Sequence, residues 1–197
     1  MNKAVFVDKD GTLIKDVPYN IKPELISFED GVMDGLRVLK QYAFLLVIIS
    51  NQSGIAHGYF TEDEFLTVKE AISEQLATNR ISLDGFYYCP HHPDGLSAEY
   101  QSICSCRKPK PGMILQAARD LNIDLHSSWM IGDILDDVEA GNRAGCKTIL
   151  INNGNETKWR LSTQRTPDHV AGNFFEAALF ILNNPVKQFT THEQKLG

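Results

Sequence analysis

Asp8 and Asp10 close a short apolar run and lead directly into Gly11 in the stretch Asp8-Lys9-Asp10-Gly11-Thr12-Leu13. Hard oxygen donors of this kind suit Mg²⁺, which takes one or two carboxylates and keeps positions for water and phosphate oxygens. Ser50 and Lys108 offer a hydroxyl and a cation that could hold a phosphoryl group. Gly11 lets the backbone turn sharply or approach a ligand closely. Gly132-Asp133 adds a third carboxylate, with Asp136 and Asp137 just behind it. A second constellation, Cys89-Pro90-His91-His92-Pro93 and Cys104-Ser105-Cys106-Arg107-Lys108-Pro109, has the form C-x-H…C-x-C. Two short ligand pairs separated by a loop can enclose one tetrahedral Zn²⁺ with three thiolates and one imidazole. An ion with all four positions filled by protein would be a staple and not a catalyst. Free buried thiols, or a redox pair at Cys104 and Cys106, are the alternatives.

These residues need a scaffold, and the pattern supplies one. Lys3 to Val7 reads as a short buried strand ending on the Asp8 turn. Val32 to Tyr42 has helical spacing, and Phe44 to Ile49 is a branched apolar run suited to a strand covered on both faces. Thr61 and Glu64 form a capping box for a helix to about Thr78. Strands are expected at Gly85 to Tyr88, Trp129 to Ile131 and Lys147 to Ile151, with helices at Pro111 to Leu121, Asp136 to Ala144 and Asn173 to Leu182. The alternation predicts an α/β fold with a mostly parallel central sheet and helices on both faces. Ligands in such folds bind beyond the carboxyl ends of the strands. That rule selects Asp8 and Asp10, then Ser50-Asn51-Gln52-Ser53, then Gly132-Asp133, with Arg107-Lys108 ahead of the Pro111 helix.

A chain of 197 residues, 43% hydrophobic and 22% charged, suits one domain, here residues 1–185 with the cysteine loop 89–106 inside it, and a polar tail 186–197. Net charge is −6 with the basic residues scattered, which argues against nucleic acid or an anionic membrane as partner. The longest apolar run, Tyr42 to Ile49, is too short to span a bilayer. The opening residues lack the apolar length of a signal peptide. Four cysteines without such a signal suit the reducing cytoplasm, where a cluster is more often a metal site than a set of disulfides. Cys146 reads as a small buried residue, Trp129 and Trp159 as core or edge packing, and His57, His126, His169 and His192 as surface or capping residues.

Asp8 to Leu13 is similar to the DxDGT(L/V) signature of the haloacid dehalogenase (HAD) superfamily of phosphatases. Ser50, Lys108 and Gly132-Asp133 follow in that family's order. The resemblance implies a Rossmann-like fold with a minimal cap, in which Asp8 attacks phosphorus to give an aspartyl phosphate. Asp10 would protonate the leaving alkoxide and later deprotonate the hydrolytic water. Ser50 and Lys108 would hold the phosphoryl oxygens. Asp8, the backbone carbonyl of Asp10, and Asp133 would ligate Mg²⁺, with Asp137 bracing the site.

The cysteine loop resembles that of a zinc-bearing subgroup, which includes D-glycero-D-manno-heptose 1,7-bisphosphate phosphatases and histidinol-phosphate phosphatases. The zinc ligands implied are Cys89, His91, Cys104 and Cys106, with His92 a neighbour. The likeness to the heptose bisphosphate members runs from Phe6 to about Ile151 and is strongest at Asn51 to Ala56, Asp84 to Pro93 and Cys106 to Pro109. It implies sugar contacts at Asp16, Tyr19, Asn51, Gln52 and Ser53, a retained phosphate on Arg107, loss of the 1-phosphate, and a monomer. His57 stands where an Arg is usual, and Ile134 where a Lys is common, so anomer and exact substrate stay open. Histidinol phosphate is the alternative substrate, with Asp16 a candidate partner for its ammonium. A catalytically idle sugar-phosphate-binding protein is the non-enzyme alternative.

Overall fold

The computed structural model describes residues 1–185; the tail expected at 186–197 lies outside the described residues. Six strands form one parallel sheet in the order β3-β2-β1-β4-β5-β6. They are β1 (Ala4–Asp8), β2 (Leu45–Asn51), β3 (Gly85–Cys89), β4 (Trp129–Gly132), β5 (Lys147–Ile151) and β6 (His169–Ala171). The helices are α1 (Val32–Gln41), α2 (Ser53–Ala56), α3 (Glu62–Thr78), α4 (Gly112–Asp120), α5 (Leu135–Ala144) and α6 (Phe174–Asn183). None of the described helices is long and apolar enough to cross a membrane.

The period-two alternation of the strands divides the core. Val5, Val7, Leu46, Ile48 and Ile131 point to the face covered by Leu36 and Leu39 of α1, Val68 and Ile72 of α3, and Phe174 and Ile181 of α6. Ala4, Phe6, Val47, Ile49 and Met130 point to the other, against Met113, Ile114 and Ala117 of α4 and Ala140 of α5. Burial on both faces is why these strands read as continuous apolar runs. The sheet grows from β1 to β2 and β3 on one side and to β4, β5 and β6 on the other. The carboxyl end of β1 is thus the switch point, where a crevice opens in doubly wound sheets.

The expected capping box of α3 is present: Glu64 N donates to Thr61 Oγ1 at 3.2 Å, and Thr61 N donates to Glu64 Oε2 at 2.7 Å. Several boundaries differ from expectation. β2 runs on through Ser50 and Asn51, so both belong to its last residues and not to the following loop. Asn173 is the N-cap of α6, accepting from Glu176 N at 3.0 Å, and the helix proper starts at Phe174. Two short elements carried no readable period, β6 with three residues and α2 with four. Trp129 is buried, as expected, whereas Trp159 is about half exposed and packs in neither core.

Candidate active site

Asp8 is the last residue of β1 and nearly buried; Asp133 directly follows β4 and Asp137 lies on the first turn of α5, also buried. One oxygen from each of these three carboxylates lies within 4.8 Å of the others. Lys108 closes the group: Nζ ion-pairs with Asp8 Oδ1, sits 2.6 Å from Asp137 Oδ1, and donates to the Ile49 carbonyl at 3.1 Å. Asp137 also accepts from Ile134 N at 3.3 Å. Asp136, its neighbour in sequence, points to Arg165 at 2.7 Å instead, because adjacent helical positions face different ways.

Backbone geometry makes room for this crowding. Gly11 has φ +84°, and a Cβ there would fall 2.2 Å from Asp133 Oδ2. Gly132 is equally constrained, since a Cβ would stand 2.2 Å from Asp137 Cβ. Both oxygens of Asp133 are held, Oδ1 by Thr12 Oγ1 at 3.0 Å and Oδ2 by Asn155 Nδ2 at 2.7 Å. Asn153 Nδ2 donates to the Gly11 carbonyl at 2.7 Å from the same loop. Thr12, Asn153 and Asn155 were not among the expected site residues. The rule that ligand sites lie beyond strand ends points to the segment after β5 as well, and would have found the two asparagines.

Burial raises Asp8 to about 7, helped by the charges of Asp137 and Asp10 and opposed by Lys108. Burial, then Asp8, takes Asp133 to about 6 against the hydrogen bonds from Asn155 and Thr12. Asp137 is likewise raised to about 6 by burial and Asp133, against the pull of Lys108. For Lys108, burial works against the charge, but Asp137 and Asp8 outweigh it and push the pKa above its usual value. Three buried carboxylates facing this one lysine leave unmatched negative charge. A divalent cation that prefers oxygen fits that deficit and that donor set.

Asp10 sits further out, its side chain about one-third exposed, ion-paired with Lys9 and accepting from Gln52 Nε2 at 3.1 Å. The same Gln52 nitrogen donates to Ser50 Oγ at 2.7 Å. Beside them opens a cleft of about 270 Å³ lined by Lys9, Asp10, Asp16, Tyr19, Asn51, Gln52 and Ser53, among others. Five of the expected sugar contacts therefore share one wall. Asn51 reaches it, but its side-chain amide is committed elsewhere: Nδ2 donates to the Lys108 carbonyl at 3.1 Å, and Oδ1 accepts from Lys108 N at 3.0 Å. Asp16 is raised above the usual carboxylate range by burial and then by Asp10. Arg107 stands apart from that lining, with Nη1 buried and without a protein partner. A row of rings joins the two places. Tyr19 meets Tyr59 at 4.6 Å, His57 stacks on Tyr59 at 5.5 Å, and His57 meets His92 at 4.7 Å. His92 is lowered by burial and then by Arg107 and His57.

Cys89, His91, Cys104 and Cys106 converge as one group of ligand atoms within 4.8 Å of one another. Cys89 Sγ is 3.4 Å from Cys104 Sγ and 2.9 Å from Cys106 Sγ, and His91 Nδ1 is 3.4 Å from Cys106 Sγ. All the cysteines are free, with these contacts well beyond a disulfide bond of about 2.05 Å. The hydrogen bond shared with Cys89 takes Cys106 down to about 5, and the same bond together with burial pushes Cys89 up. His92 turns aside, its Nδ1 accepting from Asp94 N at 3.1 Å. Three soft sulfur donors and one imidazole at these separations suit a tetrahedral Zn²⁺. Cys146 stands apart as a buried thiol.

A parallel sheet with a buried carboxylate at its switch point, and a lysine and further acids around it, is the arrangement of a HAD-like phosphoric monoester hydrolase. A family model described as HAD-hydrolase-like matches residues 105–177. The D-glycero-β-D-manno-heptose-1,7-bisphosphate 7-phosphatase of Pasteurella multocida is 49% identical over 78% of this chain and 84% of its own. The enzyme of that name from Escherichia coli K12 is 46% identical over 77% of this chain and 80% of its own. Among solved structures, a D,D-heptose 1,7-bisphosphate phosphatase from B. bronchiseptica, complexed with magnesium and phosphate, superimposes with TM-score 0.79 at 30% identity, over 92% of this chain and 98% of that one. The chain belongs to the heptose-bisphosphate phosphatase family of the HAD-like hydrolases. The names of these relatives specify the 7-phosphate, whereas the resemblance read from the sequence implied loss of the 1-phosphate.

Proposed function

We propose that this chain is a Mg²⁺-dependent phosphatase that removes the 7-phosphate of a D-glycero-D-manno-heptose 1,7-bisphosphate through an aspartyl-phosphate intermediate. The observation that carries the chemistry is Asp8 at the end of β1, in contact with Lys108 and grouped with Asp133. Asp8, the Asp10 carbonyl and Asp133 would hold the Mg²⁺, which when bound neutralises charge and keeps Asp8 ionised. Asp8 Oδ attacks phosphorus as the bond to the leaving oxygen breaks. Asp10, outside the buried acid group, supplies the proton that oxygen needs and then takes one from the water that hydrolyses the aspartyl phosphate. Ser50 and Lys108 hold the phosphoryl oxygens, and Lys108 offsets charge in the transition state. Asp137 keeps Lys108 charged and aimed.

The cleft lined by Asp16, Tyr19, Asn51, Gln52 and Ser53 is read as the sugar site. Arg107 is read as the holder of the retained 1-phosphate, which would satisfy its unpartnered buried nitrogen. The ion at Cys89, His91, Cys104 and Cys106 is read as a structural Zn²⁺ that orders the loop and sets Arg107 and Lys108 in place. We read residues 1–185 as one domain acting as a cytoplasmic monomer, with its thiols kept for metal. Asp16 in the cleft favours one competing substrate, histidinol phosphate, whose ammonium it could pair.

Phosphate release from α- and β-heptose 1,7-bisphosphate and from histidinol phosphate, with Mg²⁺ and with EDTA, tests the proposal. A faster reaction on histidinol phosphate, or a heptose 7-phosphate product, would sink the substrate assignment. Asp8→Asn should lower turnover by ~10³-fold or more; retained turnover would exclude the covalent route.

A further inference from the structure

The side chain of Gln52 is buried between Asp10 and Ser50, the groups assigned above to the leaving oxygen and to a phosphoryl oxygen. Its Nε2 donates to Asp10 Oδ2 at 3.1 Å and to Ser50 Oγ at 2.7 Å. The NH₂ end of the amide faces both groups, with Asp10 Oδ2 and Ser50 Oγ as the acceptors. The second hydrogen of that NH₂ then goes to Ser50, whose oxygen accepts. The hydroxyl hydrogen of Ser50 is thereby released for a phosphoryl oxygen. The backbone of Gln52 is pinned as well, its N–H donating to the Cys89 carbonyl at 2.8 Å, at the start of the cysteine loop.

We infer that Gln52 is a positioning residue that fixes the acid/base Asp10 and the phosphate-holding Ser50 relative to each other, a role beyond its place in the wall of the sugar cleft. The inference rests on the roles proposed above for Asp10 and Ser50. In the phosphorylation step the Asp10 O–H bond breaks and its proton goes to the leaving oxygen, as the P–O bond breaks and the Asp8 O–P bond forms. A sugar alkoxide needs that proton. A nitrophenolate does not. Loss of Gln52 should therefore lower kcat on the sugar phosphate more than on the aryl phosphate, whereas loss of a sugar contact would raise KM for the sugar phosphate and a general loss of packing would weaken both reactions alike.

The test compares kcat and KM separately for the heptose bisphosphate and for p-nitrophenyl phosphate in the wild type, Gln52→Met, Gln52→Glu and Asp10→Asn. Gln52→Met removes both donors at similar length, and Gln52→Glu keeps the shape while placing an acceptor against Asp10 and Ser50, so either folded variant suffices. The expected result is a loss in kcat at least ~10-fold greater on the sugar phosphate than on the aryl phosphate, together with a raised inhibition constant for inorganic phosphate. Equal losses on both substrates, or a change confined to KM for the sugar phosphate, would overturn the inference. Asp10→Asn separates the two levels: if it shows no leaving-group selectivity, the acid role of Asp10 fails and not the placement of Gln52.

Discussion

Replacing Asn155 with Leu removes the 2.7 Å hydrogen bond to Asp133 Oδ2 and leaves Thr12 as the side-chain donor to that carboxylate. A hydrogen bond to a charged group contributes about 1.5–3 kcal/mol. Residues that orient a metal ligand from behind typically cost 10–100-fold in metal affinity when mutated. The two magnitudes agree, since about 1.4 kcal/mol is a factor of ten. Asn155→Leu should accordingly weaken Mg²⁺ binding by roughly 10-fold or more at pH 8. The deficit should widen at pH 6. Asn155 holds the Asp133 pKa down against burial, so its loss raises that pKa further and lets protons compete with the cation. Calorimetric titration of the free protein with Mg²⁺ reads this directly, with no dependence on turnover. A dissociation constant within a factor of two of wild type at both pH values would refute the reasoning.

Three other outcomes follow from the same geometry. Burial raises the folded pKa values of Asp8, Asp133 and Asp137 to about 7, 6 and 6, from an ordinary value of 3.8, so the folded protein retains protons that the unfolded chain has released. Stability of the cation-free protein should then fall as pH rises from about 4 to 7, with Mg²⁺ reversing the fall; an EDTA-treated sample whose melting temperature is level across that range would contradict it. Cys104→Ser should lose zinc by elemental analysis and melt earlier, by roughly 6–12 °C for a ~3 kcal/mol loss in a chain of this size; unchanged melting would count against a structural ion. Arg107→Ala should raise KM for a bisphosphate more than for a monophosphate, and equal rises would remove Arg107 from the retained-phosphate site.

The order of the core elements could be read before any coordinates, for local reasons. Ala4 to Val7 and Leu45 to Ile49 are apolar at every position, which suits strands covered on both faces, and Thr61 with Glu64 marks a helix start by the hydrogen bonds those side chains can make. β6 escaped because His169-Val170-Ala171 is too short to show a period, and it is a strand only because β5 lies beside it. Asn51, which the family resemblance implies as a sugar contact, also ties its side-chain amide to the backbone of Lys108, 57 residues away in sequence, a link that spacing along the chain does not show.

The sequence by itself determined which chemistry was within reach: the Asp8-to-Leu13 signature, the later Ser50, Lys108 and Asp133, and the C-x-H…C-x-C loop are local facts of type and spacing. Only the tertiary structure decided how those groups are used. Burial raises three carboxylates together around Lys108, and the folded chain brings Asn155 onto Asp133 and Gln52 onto both Asp10 and Ser50. The physical reason is that desolvation, charge coupling and hydrogen-bond geometry depend on distance in space, and the sheet brings strand ends together from positions far apart along the chain.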